Sequence, residues 1–281
     1  MEEEIPSRLA TLGHPERLAI FRLLMRRYPD RVPAGELAQA RGLKASTLSA
    51  YLSALMQAGL VTQERMGTSL RYTIAMTELR RTLDYLLLDC CRGRPEFCSP
   101  LSLSSSTGAT AMPDRKYNVL FICTGNSARS IFAESILRKL AGDRFEVYSA
   151  GTKPYSELNP FALEILAQKG HDISGLRAKN VSEFQRDDAP KFDFVFTVCN
   201  PAANEDCPAW AGQPVSAHWG MPDPVKVDGT DAEKSLAFHQ TYGLLHNRMA
   251  VFTALPLGTL DRMSLQKAVD DIGTSQQGDF E

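Results

Sequence analysis

From residue 117 onward the sequence alternates between two periods. "YNVLFI", "FEVYSAG" and "FDFVFTV" are apolar runs of strand length, and between them "SARSIFAESILRKLAG" and "NPFALEILAQKG" carry the apolar spacing of helices. A final helix is expected over about residues 231 to 254. Strands separated by helices of this length pair in parallel, because the helix is the crossover that returns the chain to the same end of the sheet. The expected fold of this region is an α/β domain with a parallel sheet and helices on both faces, whose chemistry-bearing loops lie at the carboxyl ends of the strands. Cys123 and Cys199 each follow an apolar strand directly, so this topology brings both thiols to one edge.

The 281 residues are enough for two cores, and "SPLSLSSSTGATAMPDRK" (99–116) has the Ser, Thr, Gly and Pro content of a flexible connector. The expected organisation is a first domain over 1–98, a linker over 99–116, the α/β domain over 117–257, and a polar, uninformative tail over 258–281. Residues 1–98 carry 14 Lys/Arg against 11 Asp/Glu and the remainder 17 against 22, a sign difference that points the first domain towards a polyanion. The start "MEEEIPSR" is acidic and no apolar run approaches the roughly 20 residues of a membrane span. A cytoplasmic location is expected, and in that reducing compartment six cysteines serve as ligands or redox groups rather than structural bridges.

In the first domain, residues 6 to 28 carry a helical apolar period and "PAGELAQARG" forms a short helix ending at Gly42. In "KASTLSAYLSALMQAG", Leu48, Leu52 and Leu55 make a buried stripe, the small polar residues lie on other faces, and Gly59 can end the helix. "LVTQER" and "LRYTIA" then flank "MGTS" as a hairpin with an arginine on each arm. Short helices followed by a basic hairpin describe a winged helix-turn-helix, with its second helix in the major groove and its wing on phosphates. DNA contacts are expected from Lys44, Ser46, Thr47, Ser49, Tyr51, Ser53, Arg65 and Arg71. A last helix, "TELRRTLDYLLLDCC", sets Leu79, Leu83, Leu86 and Cys90 on one side. Cys90, Cys91 and Cys98 fall within nine residues, and three thiolates suit a trigonal soft ion such as As(III) or Sb(III), whereas structural zinc wants a fourth ligand.

"LGHPERLAIFRLLM", "STLSAYLSALMQAGLV" and the hairpin resemble the arsenic-repressor (ArsR) family of metal-sensing regulators over roughly residues 5 to 90. The resemblance implies a homodimer, formed through this domain, that represses by binding a palindromic operator. It also implies release of the operator when arsenite binds the three cysteines.

The loop "CTGNSAR" stands where a strand meets a helix. A Cys-x5-Arg spacing alone is a weak signal. Its context is specific: Gly125 and small neighbours let successive backbone N–H groups of Thr124, Gly125, Asn126, Ser127, Ala128 and Arg129 face inward, and the helix start adds positive potential. Arg129 can grip two oxygens of a tetrahedral oxyanion. The same surroundings favour a thiolate, so Cys123 is expected as a nucleophile ionised at neutral pH, with Ser130 donating to it and Asn126 holding the loop. Together with "SAGT" and the Asp-Pro pair at Asp223, this set resembles the low-molecular-weight tyrosine phosphatases over about 117–257, which implies that Asp223 is the general acid.

That fold leaves two chemistries open. A phosphatase needs one thiol, whereas a reductase must supply two electrons and so needs a second thiol to attack the first. "TVCNPAANEDCPAW" offers Cys199 and Cys207 as attacker and resolver, and with "AHWGMPDP" it resembles the arsenate reductases built on the phosphatase fold. The expectation is a bifunctional protein, an arsenite-responsive repressor fused to an arsenate reductase that needs no organic cofactor. An external dithiol completes the cycle, with thioredoxin favoured over glutaredoxin by the internal resolving pair. The alternatives are a phosphatase fused to a regulator and a purely regulatory oxyanion sensor.

Overall fold

The computed structural model describes residues 4–90, 115–205 and 210–274. The chain parts into two compact units between residues 108 and 109. In the first unit the apolar period over 6 to 28 is divided between two helices, α1 (Glu4–Leu12) and α2 (Pro15–Arg27). Pro15 has no N–H to extend α1, but it fits the first turn of α2, where that donor would be unused. His14 caps α2, its Nδ1 accepting from the Glu16 N–H at 3.2 Å. α3 (Ala34–Arg41) ends at Gly42, whose φ of 63° favours glycine, and α4 (Ala45–Gln57) follows. Leu48, Leu52 and Leu55 of α4 share a core with Ile20, Leu23, Leu24 and Leu37.

β1 (Val32–Pro33), β2 (Val61–Met66) and β3 (Ser69–Ile74) form an antiparallel sheet in the order β1-β3-β2. α5 (Met76–Asp84) runs on into a π-helical turn, Tyr85–Cys90. Of the residues expected on one side of this helix, Leu79 and Leu86 are half-buried. Thr82 turns inward and Leu83 is 42% exposed. The reason is Arg8, a buried guanidinium that needs acceptors: it donates to Thr82 Oγ1 at 3.1 Å, to Glu78 Oε2 at 2.7 Å and to the Ala58 carbonyl at 3.1 Å.

The second unit is a parallel sheet of β4 (Tyr117–Cys123), β5 (Phe145–Gly151), β6 (Phe194–Thr197) and β7 (Val215–His218), in the order β5-β4-β6-β7. α6 (Arg129–Ala141) is the first crossover, and α7 (Pro160–Gln168) is capped by Asn159, whose Oδ1 accepts from the Phe161 N–H at 3.0 Å. α8 (Asn200–Asn204) is a single short turn after β6. α9 (Asp231–Ala254) opens with a reciprocal Thr230–Glu233 cap and packs along α6 and α7. Beyond Gly258, in the stretch the sequence left without an element, α10 (Arg262–Thr274) lies along β7 with Val269, Ile272 and Gly273 buried. No helix among the described residues is long and apolar enough to cross a membrane.

Candidate active site

The β4–α6 loop is held open by its neighbours. Four of its carbonyls are tied outward by the segment after β5: Cys123 O accepts from the Thr152 N–H at 3.0 Å, Thr124 O from Lys153 at 2.9 Å, Gly125 O from Tyr155 at 2.9 Å and Ser127 O from Asn159 at 3.0 Å. Within the loop the Asn126 N–H donates to Cys123 Sγ at 3.1 Å. Gly151 permits this approach, since a Cβ there would stand 2.6 Å from Thr124 O. Asn126 sits at φ 44°, a left-handed conformation that asparagine tolerates better than most residues.

Beneath the loop runs a buried polar chain. Ser130 Oγ is 2.9 Å from Cys123 Sγ, and the Asn126 amide donates both to Ser130 Oγ at 2.9 Å and to Ser149 Oγ at 2.8 Å. Ser149 in turn donates to Glu134 Oε2 at 2.5 Å, and the same oxygen accepts from Lys179 Nζ at 3.0 Å. Lys179 also closes the chain through its backbone, its N–H donating to Asn126 Oδ1 at 2.7 Å. Reading the sequence assigned Asn126 to the loop but missed Glu134 and Lys179. Ser149 lay within the "SAGT" motif, whereas the other two carried no local signal.

Arg129, 8% exposed, projects from the first turn of α6 and pairs with Asp223, Nη2 to Oδ2 at 2.7 Å. Its Nη1 donates to the Met221 carbonyl at 3.4 Å. Asp223 also caps a short turn, its Oδ1 accepting from the Val225 N–H at 3.3 Å. Cys199 stands at the start of α8, beyond the strand adjacent to β4, and its Sγ lies 3.4 Å from Thr124 Oγ1. Cys123, Arg129, Ser130, Cys199 and Asp223 thus gather at the carboxyl edge of the sheet. Cys207 lies outside the described residues.

The structure changes one expectation for Cys123. Burial pushes its thiol above the ordinary range, and the nearby Cys199 adds to the shift; Ser130, Arg129 and the Asn126 N–H pull the other way. A positive environment was expected to leave a thiolate at neutral pH, but Cys123 is 2% exposed, and burial disfavours the charged form more than Arg129 favours it. Alkylation of Cys123 by iodoacetamide, followed by mass spectrometry, is therefore expected to rise with a midpoint above that of an ordinary thiol. A midpoint below pH 7 would restore the thiolate.

In the first unit Lys44, Ser46, Ser49 and Arg65 are exposed, while Thr47, Tyr51, Ser53 and Arg71 are half-buried. The Tyr51 ring packs against His14 at 5.1 Å, and Arg71 sits on the central strand, opposite Glu64 and Pro33. Cys90 is exposed at the end of the π-helical turn, and Cys91 and Cys98 lie outside the described residues. No group of three or more His, Cys, Asp or Glu side chains that could hold a metal occurs among the described residues.

Residues 12–64 match the model of a helix-turn-helix domain. The arsenate reductase of Halalkalibacterium halodurans is 37% identical over 134 residues and that of Bacillus subtilis 35% identical over 134 residues. Each alignment covers 48% of this chain and 93% of the relative. A solved arsenate reductase in its reduced state aligns at 25% identity over 49% of this chain and 97% of that one, with a TM-score of 0.40, too slight a likeness to build on. Residues 118–266, more than half of the chain and the stretch that forms the Cys123 cradle, match the low molecular weight phosphotyrosine protein phosphatase family, and the chain belongs to that family, with a helix-turn-helix domain ahead of the match.

Proposed function

We propose that the chain is a bifunctional arsenic-resistance protein, an arsenite-responsive repressor joined to an arsenate reductase that works by a three-cysteine relay. The observation that carries the enzymatic half is the second buried thiol: Cys199, fully buried, stands beside the loop that holds Cys123. A phosphatase has no use for it, and the relatives aligned with this unit are arsenate reductases.

Arsenate enters the loop and takes the Arg129 guanidinium from Asp223, two oxygens replacing the carboxylate in the planar fork. Cys123 Sγ attacks arsenic as the As–O bond breaks; the thiol proton passes to Asp223 and on to the departing hydroxide, which leaves as water. Ser130 and the Asn126 N–H stabilise the sulfur while it carries negative charge. Cys199 Sγ then attacks Cys123 Sγ, its thiol proton passing to an oxygen on arsenic. An S–S bond forms, the S–As bond breaks with its electron pair going to arsenic, and arsenic leaves reduced from the +5 to the +3 state. Cys207 attacks Cys199, which frees Cys123 and leaves a Cys199–Cys207 disulfide for an external dithiol of the thioredoxin type.

The first unit supports the regulatory half. Lys44, Ser46 and Ser49 stand exposed on and before α4, and Arg65 on the hairpin, a pattern suited to bases and phosphates. Arsenite made by one unit would bind Cys90, Cys91 and Cys98 of the other and release the operator, with dimerisation through the first unit. The test is arsenate-dependent NADPH oxidation with thioredoxin and thioredoxin reductase, together with operator binding titrated with arsenite. Sustained oxidation, and operator release that is lost in Cys90→Ser, are expected. Brisk hydrolysis of an aryl phosphate without arsenate turnover would make the protein a phosphatase instead.

A further inference from the structure

The loop from Trp219 to Asp223 is held from two sides. On the substrate side Arg129 donates to the Met221 carbonyl and pairs with Asp223. On the far side Arg248 of α9, 3% exposed, donates from Nη1 to the Trp219 carbonyl at 2.8 Å and the Gly220 carbonyl at 3.3 Å, and from Nη2 to the Gly273 carbonyl of α10 at 2.9 Å. α10 adds its own hold: the Trp219 indole N–H donates to the Val269 carbonyl at 2.8 Å, and the ring is stacked on Phe196 with centroids 4.1 Å apart. The fit is close. A Cβ on Gly273 would stand 2.7 Å from the His218 carbonyl oxygen and 2.9 Å from Trp219 Cδ1.

These two holds are not equivalent once substrate arrives. An oxyanion gripped by Arg129 displaces Asp223, so the substrate-side ion pair is spent when the carboxyl has to deliver its proton. The far-side hold is untouched by that exchange. We propose that Arg248, braced against the end of α10, is a positioning residue that keeps the Trp219–Asp223 loop in place for proton delivery after Arg129 has exchanged Asp223 for the substrate. The proposal rests on the reading of Asp223 as the general acid. It gives the stretch after Gly258 a part in the reaction, because Gly273 supplies the acceptor and Val269 anchors the indole.

The test uses the full chain and the rate of the first turnover, measured by rapid quench as arsenite formed, at saturating arsenate and as a function of arsenate. Arg248→Lys keeps the charge but cannot span carbonyls on two elements, and Gly273→Ala adds one methyl group against the loop. Each is expected to lower the saturated rate about tenfold or more while the arsenate concentration for half that rate changes less than about threefold. In an Asp223→Asn background the same changes are expected to cost little further, because the group they position is gone. An equal loss in both backgrounds, or a loss carried by the arsenate requirement, overturns the proposal. So does an unchanged rate in folded Arg248→Lys or Gly273→Ala, and if the lysine variant fails to fold the alanine variant decides. Asp223→Asn without effect on the rate would instead remove the acid assignment, and the positioning role with it.

Discussion

Cys207→Ser is expected to reduce one arsenate per chain and then stop, with the steady-state rate in the thioredoxin-coupled assay lower by on the order of 10³-fold. The reason is access. Cys123 is 2% exposed and Cys199 fully buried, so a disulfide between them offers an external dithiol no path for in-line attack on sulfur. A third thiol must carry the disulfide outward. The chain towards Cys207 leaves the site at Glu205, whose Oε1 accepts from Thr152 Oγ1 at 3.2 Å, close to where Thr152 binds the Cys123 carbonyl. Mass spectrometry of the stalled variant is expected to find Cys123 joined to Cys199. Cys199→Ser is expected to stop earlier, without releasing arsenite, because nothing then displaces arsenic from sulfur. Sustained turnover by Cys207→Ser would end the three-thiol reading and favour direct attack by a small thiol on the first adduct.

The parallel sheet and the cradle were legible because both rest on local patterns. Apolar runs of strand length before Cys123 and Cys199 put both thiols at the ends of adjacent strands, and "CTGNSAR" carries its own small residues and helix start. What was not legible depends on partners distant in sequence. β7 has four residues and α10 buries three, too few for either period to stand out, and both are fixed by contact with each other. Thr82 reads as a polar interruption of a leucine stripe until Arg8, 74 residues away, is seen to need it. For Cys123 the loop sequence announces positive charge, while the burial that pushes its thiol up comes from packing that the loop sequence does not show.

Glu134 makes the largest prediction for stability. Its carboxylate, 3% exposed, is the counter-charge of Lys179, which is 7% exposed. Glu134→Ala leaves a buried ammonium without its counter-charge, held only by the Arg177 carbonyl at 3.2 Å, a change that costs about 3–5 kcal/mol and, for a unit of this size, lowers Tm by roughly 6–20 °C. Both tryptophans of the chain, Trp210 and Trp219, belong to the α/β unit, so tryptophan fluorescence, excited apart from tyrosine, follows its unfolding. The effect on activity has a separate origin. Glu134 accepts from Ser149, Ser149 from Asn126, and Asn126 holds both Ser130 and, through its N–H, the Cys123 sulfur. The double variant Glu134→Leu/Lys179→Met separates the two roles. Apolar groups in place of a buried pair are often neutral or stabilising, so Tm is expected to recover most of its loss. Arsenate turnover is expected to stay low, because Ser149 still lacks its acceptor and the chain beneath the loop remains broken. Recovery of both together would mean that Glu134 serves the site only by keeping the unit folded.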